Sequence, residues 1–129
     1  MSDPSNPLDW AEYAERDWEA AKVLIRRKRP LTTNSCYHAQ QSAEKYLKAL
    51  LVSRGVDFPK THDLSTLNTL CNDAGILTGL SPKALALLTD YAITARYPGE
   101  APTPEDTKES LEIAKTVRKF ARKWLEMGK

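Results

Sequence analysis

Apolar positions recur along the chain at three- and four-residue steps and nowhere alternate over a long stretch, so each segment reads as an amphipathic helix and none as a half-buried strand. From Leu8 to about Arg27, Ala11, Ala14, Trp18, Ala21 and Ile25 share one face and predict a first helix, ended by Pro30. Leu31-Thr32-Thr33-Asn34-Ser35 offers several polar N-caps for a second, whose Cys36, Ala39, Ala43, Leu47, Leu50 and Leu51 share a face until Gly55. Asp63 is placed to cap a shorter third helix through Leu64, Leu67, Leu70 and Cys71, stopped at Gly75. Ser81-Pro82 reads as an N-cap followed by a first-turn proline, opening a fourth helix that ends before Pro98. A fifth begins near Thr103-Pro104-Glu105-Asp106 and carries Ile113, Val117, Phe120 and Trp124.

Short connections between these segments predict an all-α fold, an up-and-down antiparallel helical bundle of four long helices plus one short helix. Residues 1–7, with Pro4 and Pro7 among small polar residues, read as a flexible tail, and residues 8–127 as a single bundle domain. The short third helix is flanked by the longest turn-rich stretches, where function is favoured over the packed helices.

Composition changes this picture little. The 129 residues contain 19 Lys and Arg against 17 Asp and Glu, a net charge of +2 that by itself does not argue for nucleic-acid binding. Cys36 and Cys71 stand far apart without a CxxC pattern and read as buried hydrophobes in a reducing compartment. No apolar run approaches the roughly 20 residues that span a bilayer, and Met1-Ser2-Asp3-Pro4 does not have the layout of a secretion signal. The expectation is a cytoplasmic protein without a membrane partner.

Three groups of residues could carry chemistry. On helix two, His38, Gln41, Ser42 and Lys45 project from the side opposite the apolar face, forming either a solvated surface or a stripe for an anionic ligand or second subunit. Glu44 and Lys48 on the same helix read only as an i,i+4 pair worth a few tenths of a kcal/mol. In Thr61-His62-Asp63-Leu64 the His precedes a helix cap, where it is either simply exposed or placed to meet a phosphate. In the stretch from Tyr91 to Pro98, Arg96-Tyr97-Pro98 closes a helix and leaves a forked guanidinium at the corner, as a dipole partner or as a ligand for phosphate or carboxylate. Two basic groups, Arg26-Arg27-Lys28-Arg29 and Lys115, Arg118, Lys119, Arg122 and Lys123, load the ends of helices one and five; together on one side they would make a phosphate patch.

Several enzyme templates are excluded. The chain has no GxxxxGK[ST] or GxGxxG loop and no HExxH. Its two His and two Cys are too few for a protein-held zinc site, and no metal or cofactor is expected. A Cys nucleophile paired with a His is conceivable, but Cys36 lies on the predicted buried face.

The run from His38 to Leu51, followed in order by Thr61-His62-Asp63-Leu64 and Ala95-Arg96-Tyr97-Pro98, resembles the small prokaryotic HEPN domain family over nearly the whole chain. The resemblance implies a helical bundle, commonly a homodimer, linked to nucleotide or RNA binding and often encoded beside a minimal nucleotidyltransferase. Many such proteins are metal-independent ribonucleases, frequently toxins, whose site is an Arg followed after four to six residues by a His. This sequence departs from that pattern: counting on from Arg96 gives Ala101, Pro102 and Thr103, and counting back from His62 or His38 meets no Arg. No catalytic residue is therefore assigned. The function implied is a nucleotide- or RNA-binding module, partner of a minimal nucleotidyltransferase in a toxin-antitoxin-like pair, with His38, Gln41, Lys45, His62, Arg96 and Tyr97 as ligand-binding residues. The alternatives are a divergent metal-independent ribonuclease toxin and a non-catalytic dimeric scaffold joined through Tyr37, His38, Gln41 and Lys45.

Overall fold

Capping decides where the first helix starts. In the computed structural model, which describes residues 5–94 and 98–127, the Asn6 side chain accepts a hydrogen bond from the Leu8 amide at 2.9 Å and Pro7 takes the first helical position. The helix α1 (Pro7–Arg26) thus opens inside the segment read as tail, because a polar cap and a proline leave no mark on the apolar pattern. Four further helices follow: α2 (Thr32–Ser53), α3 (Leu64–Asp73), α4 (Pro82–Thr94) and α5 (Pro104–Trp124), with no strand among the described residues.

Asp63 caps α3 by accepting from the Ser65 amide at 2.9 Å, and Ser81 Oγ accepts from Ala84 N at 3.1 Å at the start of α4. Thr103 and Asp106 form a reciprocal capping box on α5. The expected polar cap on α2 is absent. Leu31 occupies the N-cap position, and Ser35 lies inside the helix with its hydroxyl donating to Ala21 O of α1 at 2.8 Å. The hydroxyl holds two helices together instead of ending one.

Contacts along the chain give the directions. Ser35 meets Ala21 and Tyr46 meets Glu15, so α1 runs antiparallel to α2. Cys36 meets Thr107 and Ser110 while Tyr46 meets Arg122, so α5 runs parallel to α2. This is the up-and-down order of a helical bundle. It also sends the basic ends of α1 and α5 to opposite ends of the molecule, so the two cationic groups do not make one patch.

Helix α2 is the axis, packed by α1, α3, α4 and α5. Its Leu47, Leu50 and Leu51 join Leu64, Leu67, Leu85, Leu88 and Val117 in one continuous core. Twelve of its 22 residues are buried, more than a one-faced helix allows, and they include Gln40, Ser42, Glu44 and Tyr46. Ser42, expected on the outward polar side, has no exposed surface, and its Oγ has no hydrogen-bond partner among the described residues. Ala11, Ala14 and Ala21 of the adjoining α1 are likewise fully buried.

Charge also ties α1, α2 and α5 together. Arg118 Nε and Nη2 donate to Glu15 Oε1 and Oε2 at 2.7 Å each, and the buried Tyr46 hydroxyl donates to Glu15 Oε1 at 2.6 Å. The Arg122 guanidinium in turn donates to Tyr46 Oη at 3.3 Å. The Arg118 fork holds the Glu15 carboxyl down at about 2, against partial burial, while burial and the neighbouring Glu15 push the Tyr46 phenol up to about 12.

Two outcomes test this frame. Leu47→Ala removes a fully buried side chain from the axis and should lower unfolding free energy by about 2–5 kcal/mol, read by urea denaturation. Glu15 binds its proton more weakly folded than unfolded, so its stabilising effect is fully present above its ordinary value of 4.5 and fades as pH falls towards about 2. Melting curves of wild type and Glu15→Gln should therefore converge across that window, and a constant separation down to pH 2 would remove the ion pair from the account.

Candidate functional site at the His62 cleft

The loop from Gly55 to Asp63 carries His62 and is held to the bundle by aromatic packing. Phe58 meets Trp10 of α1 edge-to-face, with centroids 5.9 Å apart, and the Lys48 ammonium lies 5.5 Å and 5.4 Å from the Trp10 and Phe58 rings. Thr61 Oγ1 accepts from the Asp63 amide at 3.1 Å, tightening the approach to α3. These contacts bring His62 against the middle of α2.

There two α2 side chains grip it. Gln40 Nε2 donates to the His62 carbonyl oxygen at 2.8 Å, and Glu44 Oε1 lies 2.8 Å from His62 Nδ1. Lys48 Nζ donates to the other carboxylate oxygen, Glu44 Oε2, at 3.0 Å. The Glu44 side chain is only 4% exposed, whereas the His62 side chain is 71% exposed. With Nδ1 donating to the carboxylate, Nε2 is left to act as acceptor in the neutral ring or donor in the cation. The imidazole is therefore fixed on one edge and open on the other.

His62 also lines a cleft of about 300 Å³ between the loop that leads into α3 and helix α4, together with Asp63, Ala86, Thr89, Asp90 and Ile93. Thr89 Oγ1 accepts from Leu64 N at 3.4 Å and donates to Leu85 O at 3.0 Å, joining the two walls. Ala86 and Ile93 provide an apolar surface, and Asp63 and Asp90 place carboxylates beside it. This wall suits hydroxyl and amino donors of a ligand better than a bare phosphate.

The six residues singled out in sequence fall into three groups. Gln41 Nε2 donates to Gln40 Oε1 at 2.9 Å, which links Gln41 through Gln40 to His62. His38 and Lys45 belong elsewhere: His38 Nδ1 lies 2.8 Å from Asp17 Oδ1, and Lys45 Nζ donates to Asp17 Oδ2 at 2.6 Å. Both face α1 and share one carboxylate that is 12% exposed, so they clamp two helices instead of forming a free stripe. Arg96 and Tyr97 lie outside the described residues.

Gln40 and Glu44 were not singled out, and the Glu44–Lys48 pair is a buried hub, not an exposed helix pair. Gln40, Glu44 and Lys48 stand at successive four-residue steps, so their shared line was readable; the partner that gives it meaning comes from a loop 18 residues on from Glu44. Tyr91, also in the motif ending at Pro98, donates to Glu109 at 2.8 Å and lies 3.3 Å from Asp106, which lifts its phenol to about 12 and joins α4 to α5. Both cysteines are buried, and desolvation pushes the Cys71 thiol up to about 12 and raises that of Cys36, so neither has the properties of a nucleophile. Among the described residues, no group of three or more His, Cys, Asp and Glu could hold a metal ion, and no helix is long and apolar enough to cross a membrane.

Comparison with known proteins agrees with this architecture. A protein of Methanocaldococcus jannaschii named "Putative toxin MJ1304" is 29% identical over 129 residues, covering 88% of this chain and 84% of that one. The crystal structure of TT1696 from Thermus thermophilus superposes with a TM-score of 0.72 at 25% identity, covering 91% of this chain and 96% of the other. The model of the HEPN domain family matches residues 8–124, from the first turn of α1 to the last residue of α5. The chain therefore belongs to the HEPN domain family.

Proposed function

We propose that this HEPN domain is a nucleotide- or RNA-binding module that works with a minimal nucleotidyltransferase partner in a toxin-antitoxin-like pair. The observation that carries the ligand reading is His62, oriented by the buried Glu44 at the edge of an open cleft. An imidazole held in this way presents one directional polar atom, while the apolar and carboxylate walls accept a base or a ribose. Ile93 lines the same cleft, and Arg96 follows it by three residues in the sequence. Arg96 is assigned the phosphate on this reading, because it supplies the forked cation that the acidic wall lacks. The toxin name of the relative and the resemblance of the motifs support the two-component context. A homodimer fits the same reading, with Tyr37 and the partly exposed Gln41 of α2 left at its surface while His38 and Lys45 are engaged by Asp17.

One observation favours the ribonuclease alternative. A carboxylate-held imidazole is the arrangement that proton transfer needs, and His62 with Glu44 has it. Incubation with transfer RNA and messenger RNA in chelator separates the readings. A binding module leaves the RNA intact, whereas cleavage lost in both His62→Ala and Arg96→Ala would establish the enzyme.

Calorimetry with mono- and dinucleotides tests the binding reading directly. His62→Ala and Arg96→Ala should each weaken binding by about tenfold or more, the worth of a hydrogen bond to a charged group, and Arg96→Lys should not restore it fully. Unchanged affinity in both Ala variants would overturn the site. Urea denaturation supplies the folding control. His62→Ala, which takes one partner from the buried Glu44 carboxylate, should cost about 1–3 kcal/mol. Glu44→Ala, which strands the Lys48 ammonium, should cost on the order of 3 kcal/mol.

A further inference from the structure

Glu44 decides which nitrogen of His62 is left for a ligand. Its Oε1 lies 2.8 Å from His62 Nδ1, its side chain is 4% exposed, and Lys48 Nζ occupies the other oxygen at 3.0 Å. Gln40 holds the backbone by donating to the His62 carbonyl oxygen at 2.8 Å. A carboxylate beside an ammonium accepts and does not donate, so the neutral ring carries its proton on Nδ1 and its lone pair on Nε2. No group among the described residues meets Nε2.

The other polar side chains that line the cleft are acceptors as well. Asp63 Oδ1 takes the Ser65 amide, and no donor among the described residues reaches Asp63 Oδ2 or the Asp90 carboxylate. Thr89 donates its hydroxyl proton to Leu85 O at 3.0 Å and so offers none to a ligand. Ala86 and Ile93 complete the lining without polar side-chain atoms. While His62 is neutral, the lining therefore holds no free side-chain donor. Phosphate calls for donors or cations; a hydroxyl or amino group calls for acceptors.

We infer that the cleft reads a nucleoside through a hydroxyl or amino hydrogen donated to His62 Nε2, and that phosphate is excluded from this contact. This rests on the nucleotide-binding reading of the same cleft and gives it a polarity, with the phosphate left to Arg96. Acid reverses that polarity. The charged groups that bond to the imidazole's carboxylate or share its cleft are Glu44 and Lys48 of α2, Asp63 at the α3 cap and Asp90 of α4. Carboxylates and ammonium groups ordinarily titrate outside the interval from about pH 5.5 to 8, so the imidazole is the group that changes charge there. Its second proton goes onto Nε2 and turns the acceptor into a donor. Affinity for a donor group falls as pH falls, whereas affinity for phosphate at the same nitrogen would rise.

The experiment uses the full chain with adenosine, which carries no phosphate to titrate, and with inorganic phosphate. Nitrogen NMR of isotope-labelled histidine rings at about pH 8 should show His62 protonated on Nδ1 and bare on Nε2. Calorimetry should show adenosine affinity falling by about tenfold on going to about pH 5.5, the loss of one good hydrogen bond. His62→Ala should abolish that fall, which separates it from the titration of His38. Adenosine should move the His62 Nε2 resonance, and inorganic phosphate should not. Weaker binding of 2′-deoxy- or 3′-deoxyadenosine assigns the donor to a ribose hydroxyl, and weaker binding of inosine assigns it to the exocyclic amino group. A proton on Nε2 at the alkaline end, adenosine affinity that rises in acid, or a phosphate-induced shift at Nε2 would overturn the inference while nucleotide binding in the cleft stands. So would equal affinity for all these nucleosides, or no adenosine binding where nucleotides bind. Nucleotide affinity unaltered in both His62→Ala and Arg96→Ala, or no nucleotide binding at all, would instead overturn the cleft itself.

Discussion

A carboxylate carried into the interior on a helix packed from four directions must be met by cations and donors, or the loss of its hydration goes uncompensated. Glu44 imposes that requirement. Its two oxygens receive Lys48 from its own helix and His62 from the loop before α3, and Gln40 closes the group by holding the His62 backbone. The loop course follows from this arrangement. Lys48 must stay near Glu44, and its ammonium in turn lies beside Trp10 and Phe58, so the aromatic pair, the loop and the carboxylate constrain one another. His62 is a product of this constraint more than of its own segment.

The same logic governs α1. Glu15 and Asp17, two residues apart, point to different neighbours: Glu15 to Tyr46 and Arg118, Asp17 to His38 and Lys45. Each inward charge takes donors from two positions, which fixes the rotation and height of α1 against α2 more narrowly than alanine packing alone. Small residues let the helices approach, and paired charges select one register from those that approach permits.

Helix existence was legible because it depends on local spacing. The positions of Asp63, Ser81 and Thr103 at helix starts were legible for the same reason, since a cap acts on amides two or three residues away. What escaped was the direction of polar side chains on α2. Periodicity assigns one buried face, but a helix packed by four others keeps only a narrow outward stripe, so Ser42, read on the polar side, and Glu44, read as part of a surface pair, are buried together with Gln40 and Tyr46. The role of Ser35 escaped similarly, because a hydroxyl near a helix start reads as a cap until a second helix offers it a carbonyl.

This distribution of partners also explains why the open chemistry gathers between α4 and the loop before α3. Along the seam of α1 and α2, His38 and Lys45 are consumed by Asp17, so groups that look reactive in isolation are structural. On the inner side of α5, Arg118 is consumed by Glu15. His62 differs because its carboxylate partner meets only one ring nitrogen and its side chain stays 71% exposed. A buried acid that grips an exposed base from behind leaves that base oriented without neutralising its outward edge. The bundle thus converts an internal electrostatic need into a fixed surface group beside a cleft.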